Sequence, residues 1–199
     1  MRFAPAFALF SLGFGCAPKT HSPVAPVATT AATNRVVAAA RAQIGVTTEY
    51  SPAYLALKYP GGDPPLRTGV CTDVVIRALR KNGLDLQRAV HEDMLKNFAR
   101  YPHLSGNTAP DSNIDHRRVP ILQAWFGRKG WSRSVQSAPQ PGDIVAWRLP
   151  SNRLHVGIVS DQVGSSGDLT VIHNIGAGVQ DEDRLRAGPI MGLYRVPKG

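Results

Sequence analysis

The spacing of apolar residues changes period near Pro141, and this change constrains the fold more than any other feature of the chain. Before it, apolar positions recur at helical intervals. The clearest case is GVCTDVVIRALRKNG, where Val74, Val75, Ala78 and Leu79 follow Cys71 at i+3, i+4, i+7 and i+8. After it come PGDIVAW, LHVGIVSD, LTVIHNI (169–175) and GLYRV (192–196), short apolar runs separated by turn residues. QVGSSG joins the second run to the third as a hairpin connection. Helices first and an antiparallel sheet afterwards make an α+β layout.

Local signals place the helix ends. Asn34 is a candidate N-cap for RVVAAARAQIG, which Gly45 would end. Gly83 stops the Cys71 helix, and Asp85 caps the next, LQRAVHEDMLKNFARYP, which halts before Pro102. A short helix is expected around Pro120–Phe126, because proline is tolerated in a first turn. The segment between the first helix and Cys71, rich in Pro and Gly with Tyr50, Tyr54 and Tyr59, reads as a loop packed over something. With 199 residues, 43% of them hydrophobic, the chain can form one domain without covalent staples.

Residues 1–16, MRFAPAFALFSLGFGC, carry one Arg ahead of an apolar stretch too short to span a bilayer. The segment resembles a bacterial lipoprotein signal, which implies acylation of Cys16. Ala17 after it resembles the pattern for outer-membrane sorting, which implies a periplasmic, outer-membrane lipoprotein. Ordinary cleavage at a nearby small residue, freeing a soluble exported protein, is the alternative. Residues 17–34 are dominated by Pro, Ala, Thr and Ser and read as a disordered linker, leaving 35–199 as the folded domain. The net charge of +9 favours acidic partners, wall-peptide carboxylates and anionic headgroups among them. Nucleic acid is not expected, since the basic residues are dispersed and no nucleic-acid motif is present.

If Cys16 carries lipid, Cys71 is an unpaired thiol in an oxidising compartment, a liability that needs a reason. A buried inert cysteine is one reason and catalysis another. Cys71 opens a helix, where backbone N–H groups and the helix dipole favour a thiolate. Two histidines follow on apolar strands. A turn centred at residue 164 sets His155 opposite His173 on one face, with Cβ atoms about 4.5–5.5 Å apart. A one-residue slip would oppose Asn174 instead. His155 then takes the Cys71 proton and later protonates the leaving amine, while His173 or Asn174 orients the ring. The Cys71 amide offers one oxyanion donor, and the second is sought among Tyr50, Tyr54 and Tyr59. No cofactor is implied, and His91, His103 and His116 lack metal-ligand spacing.

A cysteine opening a helix, then PGDIV, HVGIV and VIHN, resembles the NlpC-type and CHAP cell-wall cysteine peptidases and amidases, a papain-like superfamily. The resemblance implies that fold, helices packed on a C-terminal antiparallel sheet, with Cys71 as nucleophile, His155 as base and His173 as third residue. More closely, GVCTDVV, NIDHRRV, PGDIV, HVGIV and HNIG are similar to a bacterial family known as a domain of unknown function. The superfamily usually carries Cys-Ser-Gly where this chain has Cys71-Thr72-Asp73.

Asp73 is placed to cap the helix, hold an arginine, or raise the thiol pKa. Asp115, His116, Arg117 and Arg118 are either a turn with internal Asp–Arg pairs or, with Asp73, a substrate-binding clamp for carboxylate or phosphate. The expectation is an exported thiol hydrolase cutting amide bonds of peptidoglycan peptides. Two alternatives stand beside it: a lipid- or acyl-directed member of the same superfamily, and a non-catalytic envelope-binding lipoprotein.

Overall fold

A computed structural model describes Met1 and residues 31–197 apart from Ser105. Cys16, the signal-type segment and the linker through residue 30 lie outside the described residues. Helix α1 spans Ala31–Arg41, so it begins three residues before Asn34, which lies inside the helix rather than capping it. A parallel pair follows, β1 (Glu49–Tyr50) with β2 (Thr68–Gly69). Next come α2 (Cys71–Lys81), α3 (Leu86–Asn97), 3-10 turns at Phe98–Arg100 and Asp115–Arg117, and α4 (Val119–Arg128). The rest of the chain supplies β3 (Ser132–Arg133), β4 (Ile144–Arg148), β5 (Leu154–Val163), β6 (Leu169–Asn174), β7 (Val179–Glu182) and β8 (Ile190–Tyr194). They form one antiparallel sheet in the order β3-β8-β4-β5-β6-β7. The α+β expectation is met.

The two faces of this sheet bury different sets of side chains. Ile144, Ala146, Val156, Ile158 and Ile172 face the helices, packing with Cys71, Val74, Val75 and Ala78 of α2. Val145, Trp147, Val159, Val171 and Leu193 face the other way, over Leu185. Alternation along each strand produces the division, since neighbouring residues point to opposite faces. The Pro-Gly-Asp turn is fixed from both sides. Asp143 accepts from the Gln140 amide at 2.9 Å and takes both Nε (2.9 Å) and Nη2 (2.8 Å) of Arg195 from the C-terminal end.

The ends of α2 follow the local signals. Gly83 sits at φ +89°, where a side chain is strained, and lets Leu84 N–H reach Leu79 O at 3.0 Å to close the helix. Asp85 accepts from Gln87 N at 3.2 Å to start α3. At the other end Val70 has no polar side chain to cap with. Asp73 instead reaches back to accept from the Val70 amide at 2.7 Å. The loop before Cys71 is clamped by Arg77, whose guanidinium donates to Asp63 (2.9 and 3.0 Å), Thr47 Oγ1 (2.8 Å) and the carbonyls of Pro64 and Thr68 (3.2 and 3.1 Å).

Asp73 also holds Arg117. Nε donates to Oδ1 at 2.9 Å and Nη2 to Oδ2 at 3.0 Å, with side chains 1% (Arg117) and 2% (Asp73) exposed. Thr72 Oγ1 donates to the Arg117 carbonyl at 2.9 Å. The clamp reading of NIDHRRV is therefore corrected for this pair: it braces the helix start from within and has no open charge to offer a ligand. Asp115 is likewise engaged, accepting from the Asp111 amide at 2.6 Å and from Asn107 at 3.2 Å. Removing one partner of a buried pair leaves the other charge uncompensated, at a cost of about 3–5 kcal/mol. Arg117→Met should lower the urea-unfolding free energy by about that amount, and Arg117→Met with Asp73→Leu should lower it less. A single variant as stable as the wild type contradicts the brace.

Candidate functional site

Three strands converge on one buried polar chain. His155 is the second residue of β5 and His173 the fifth of β6. Their rings meet with Nε2 of His155 2.9 Å from Nδ1 of His173. They are not directly opposed. The ladder pairs Ile158 with Ile172 and Val159 with Val171, two places from the register that would face His155 to His173. A shift of two preserves the side-chain face, so the rings still touch, diagonally. Trp147, paired with His155 across β4 and β5, packs edge-on to both rings at 5.1 and 5.8 Å. Gly157 makes room: a Cβ there would lie 2.6 Å from Val171 Cγ1 and 3.0 Å from His173 Cβ.

The chain extends one residue further than the sequence indicated. Glu182 of β7 places Oε2 3.0 Å from Nε2 of His173. Residues 179–182 carry no apolar alternation, so the sequence pattern predicts no strand there. Their pairing with β6 (His173 with Gln180, Val171 with Glu182) makes them an edge strand. Asn174 points to the other face. It donates to the carbonyls of Gly69 (3.1 Å) and Glu49 (3.3 Å), so it anchors the β1–β2 pair and does not reach the imidazoles.

Cys71 is buried on the helix side of β5. The groups that bear electrostatically on its sulfur are the backbone of Val156, Thr72 and Cys71 itself and the Asp73 carboxylate. Val156 adjoins His155, but by strand alternation the imidazole projects to the opposite face, with Trp147. The structure therefore brings the sulfur to the strand that carries His155, and unites His155 with His173 and Glu182. It does not join sulfur and imidazole by a hydrogen bond among the described residues.

Electrostatics reinforce a neutral resting state. Burial pushes the Cys71 thiol up to about 11, and Asp73 pushes the same way, against the downward pull of the Val156, Thr72 and Cys71 backbone groups. The helix start alone favours a thiolate; desolvation outweighs it here. Burial, then the neighbouring His173, pulls His155 down to about 3. Burial also lowers His173, against the upward pull of Glu182.

The remaining candidates fall elsewhere. Tyr54 is exposed and its hydroxyl joins Asp111 and Asn113, each at 3.0 Å. Tyr59 stacks edge-on against His91. Tyr50, on β1, is the tyrosine whose phenol is raised by burial and by Cys71. His116 is buried, with Nδ1 lacking a partner among the described residues, and burial pulls it down to about 4. Arg118 approaches Asp115 at 4.0 Å. A cavity of about 320 Å³ opens beside His173 on the Trp147 face, walled by Leu149, Pro150 and Ile175 with Arg184 in its lining.

Against known proteins, residues 37–196 match the family described as Domain of unknown function (DUF1287). A protein of Escherichia coli (strain K12), described as Uncharacterized protein YijF, is 54% identical over 167 residues, 82% of this chain and 82% of that protein. The chain belongs to the DUF1287 family. Among solved structures, NlpC1 from Trichomonas vaginalis aligns over 82% of this chain at 16% identity and a TM-score of 0.39. The chain spans 43% of the length of that protein.

An imidazole held at about 3 or about 4 when folded, against 6.5 when free, takes up its proton on unfolding between those values. The stability it contributes is complete above pH 6.5 and is lost as pH falls toward the folded value. Unfolding free energy should drop between pH 6.5 and 4 by about 1.4 kcal/mol per pH unit for each such histidine. Urea midpoints across that range test this, and a flat profile contradicts the buried neutral imidazoles.

Proposed function

We propose that the protein is a papain-like thiol hydrolase that cuts amide bonds of bacterial cell-wall peptides. Cys71 attacks the carbonyl carbon, His155 accepts the thiol proton and returns it to the leaving amine, and water hydrolyses the thioester. The supporting observation is the oriented imidazole of His155, hydrogen-bonded to His173 and seated next to the strand residue that contacts the sulfur. The order of GVCTDVV, HVGIV and VIHN along the chain supports it too. A thiol at about 11 and an imidazole at about 3 are both neutral at rest. On this reading the proton moves only as the substrate binds, when sulfur and ring, on opposite faces of β5 in the structure, come within reach of each other. The backbone amides at the start of α2 supply oxyanion donors, with Tyr50 as the side-chain partner.

The same proposal places the protein in the periplasm, anchored to the outer membrane through Cys16. Intact mass of the mature N-terminus tests this: a diacylglyceryl-modified Cys16 supports it, and an unmodified cleaved chain removes it.

A second reading, a wall-binding lipoprotein without catalysis, is favoured by the burial of the thiol and its high pKa. Purified sacculi separate the two. The hydrolase reading expects fragment release by the wild type and at least a hundredfold loss in Cys71→Ala and His155→Ala, with retention on sacculi unchanged. Release by both variants at the wild-type rate, or retention without release by the wild type, contradicts it. Acyl esters in parallel reactions test the lipid-directed alternative.

A further inference from the structure

We infer that Glu182 is a positioning residue: it sets the proton on the far nitrogen of His173 and thereby leaves Nδ1 of His155 free to accept one. The catalytic consequence rests on the hydrolase reading; the tautomer assignment does not.

The argument is a count of protons along three contacts. A carboxylate has acceptors only, so Glu182 Oε2, 3.0 Å from His173 Nε2, favours a proton on that nitrogen. A neutral imidazole carries one N–H. With Nε2 protonated, His173 Nδ1 is an acceptor. His155 Nε2 lies 2.9 Å from it and must be the donor. His155 then has its lone pair on Nδ1, the only ring nitrogen left to take a proton from a thiol. The opposite order has His173 Nδ1–H donating to His155. It turns a nitrogen lone pair toward the carboxylate and leaves His155 protonated at Nδ1, where it cannot act as a base.

Two ring nitrogens would otherwise leave this choice open, because the His155–His173 contact is equally good either way round. The carboxylate breaks the symmetry. The contact is close but not aligned as a linear hydrogen bond, so its influence is chiefly electrostatic. The ring end is buried, with His173 1% exposed, and the carboxylate is 31% exposed, so its charge is only partly screened by water. The edge strand holds Glu182 in place: pairing Val171 with Glu182 gives Glu182 the same face as His173. Arg184, 3.9 Å from Oε1, and Asp181 are the other charged groups that bear on the ring, besides His155 itself. Trp147 packs against both rings and has no acceptor to compete. This is the arrangement in which a third group fixes the tautomer of a catalytic base, extended here by one further residue.

The test is histidine tautomer assignment by two-bond 15N–1H correlation on the folded, 15N-labelled protein at pH 7.5. Both His155 and His173 should carry the proton on Nε2. Glu182→Gln keeps an acceptor oxygen and should retain this state as the major form. Glu182→Leu should raise the Nδ1–H form of His155 several-fold. Nδ1–H on His155 in the wild type, or an unchanged tautomer in Glu182→Leu, overturns the inference. The wild-type spectrum decides the assignment even if the leucine variant does not fold. Sacculus digestion by the wild type answers separately: no release there with Nε2–H on both rings would remove the hydrolase and leave the tautomer control standing.

Discussion

Two charges with almost no access to water, Asp73 and Arg117, fix where the thiol of Cys71 can sit. Their bidentate contact joins the first turn of α2 to the turn that precedes α4. The Thr72 hydroxyl adds a second tie between the same segments. Asp73 does three things at once. It closes the helix start on the Val70 amide, neutralises Arg117, and sets a negative field beside the sulfur. A Cys-Ser-Gly start would supply only the thiol and the turn. The acid at the third position gives this chain a helix start that is rigid but electrostatically unfavourable to a thiolate. A nucleophile in that setting stays protonated until a base acts on it.

In the proposed mechanism, parity prepares the base. Strand residues two apart share a face, so the two-place offset between β5 and β6 moves the histidines without separating them. The bulge between Val159 and Val163 accompanies the change of register. Gly157 then matters for what it lacks, since any side chain there would collide with Val171 and His173. Parity also puts the imidazoles on the Trp147 face while the sulfur stays with the helices. The strand β5 near Val156 divides the candidate site, with the sulfur packed on its helix side and the ring carried on the other.

Much of this was legible in the chain. The period change at Pro141 gave the layer order, the Cys71 helix ended at Gly83, and His155 and His173 fell on one face. Four features were not legible, each for a physical reason. Glu182 lies in an edge strand reading VQDE, which has one apolar residue and so no alternation to betray it. That Tyr50, and not Tyr54 or Tyr59, is electrostatically coupled to Cys71 depends on how an irregular loop returns to β2, and composition does not encode that path. The thiol pKa depends on burial, which overrides the helix-start effect visible in sequence. The Asp-His-Arg-Arg run left internal pairing and a ligand clamp both open, because the sequence does not name an arginine's partner; here Arg117 found its carboxylate forty-four positions back along the chain.

The central claim, that Cys71 becomes acylated with His155 as its base, is tested most directly by intact-mass analysis of acid-quenched protein after brief incubation with solubilised wall peptides. The account predicts a hydroxylamine-labile adduct that maps to Cys71 in the wild type and is missing from His155→Ala. An adduct that forms equally well without His155, or wall peptide cleaved while Cys71 never carries the acyl group, would contradict it.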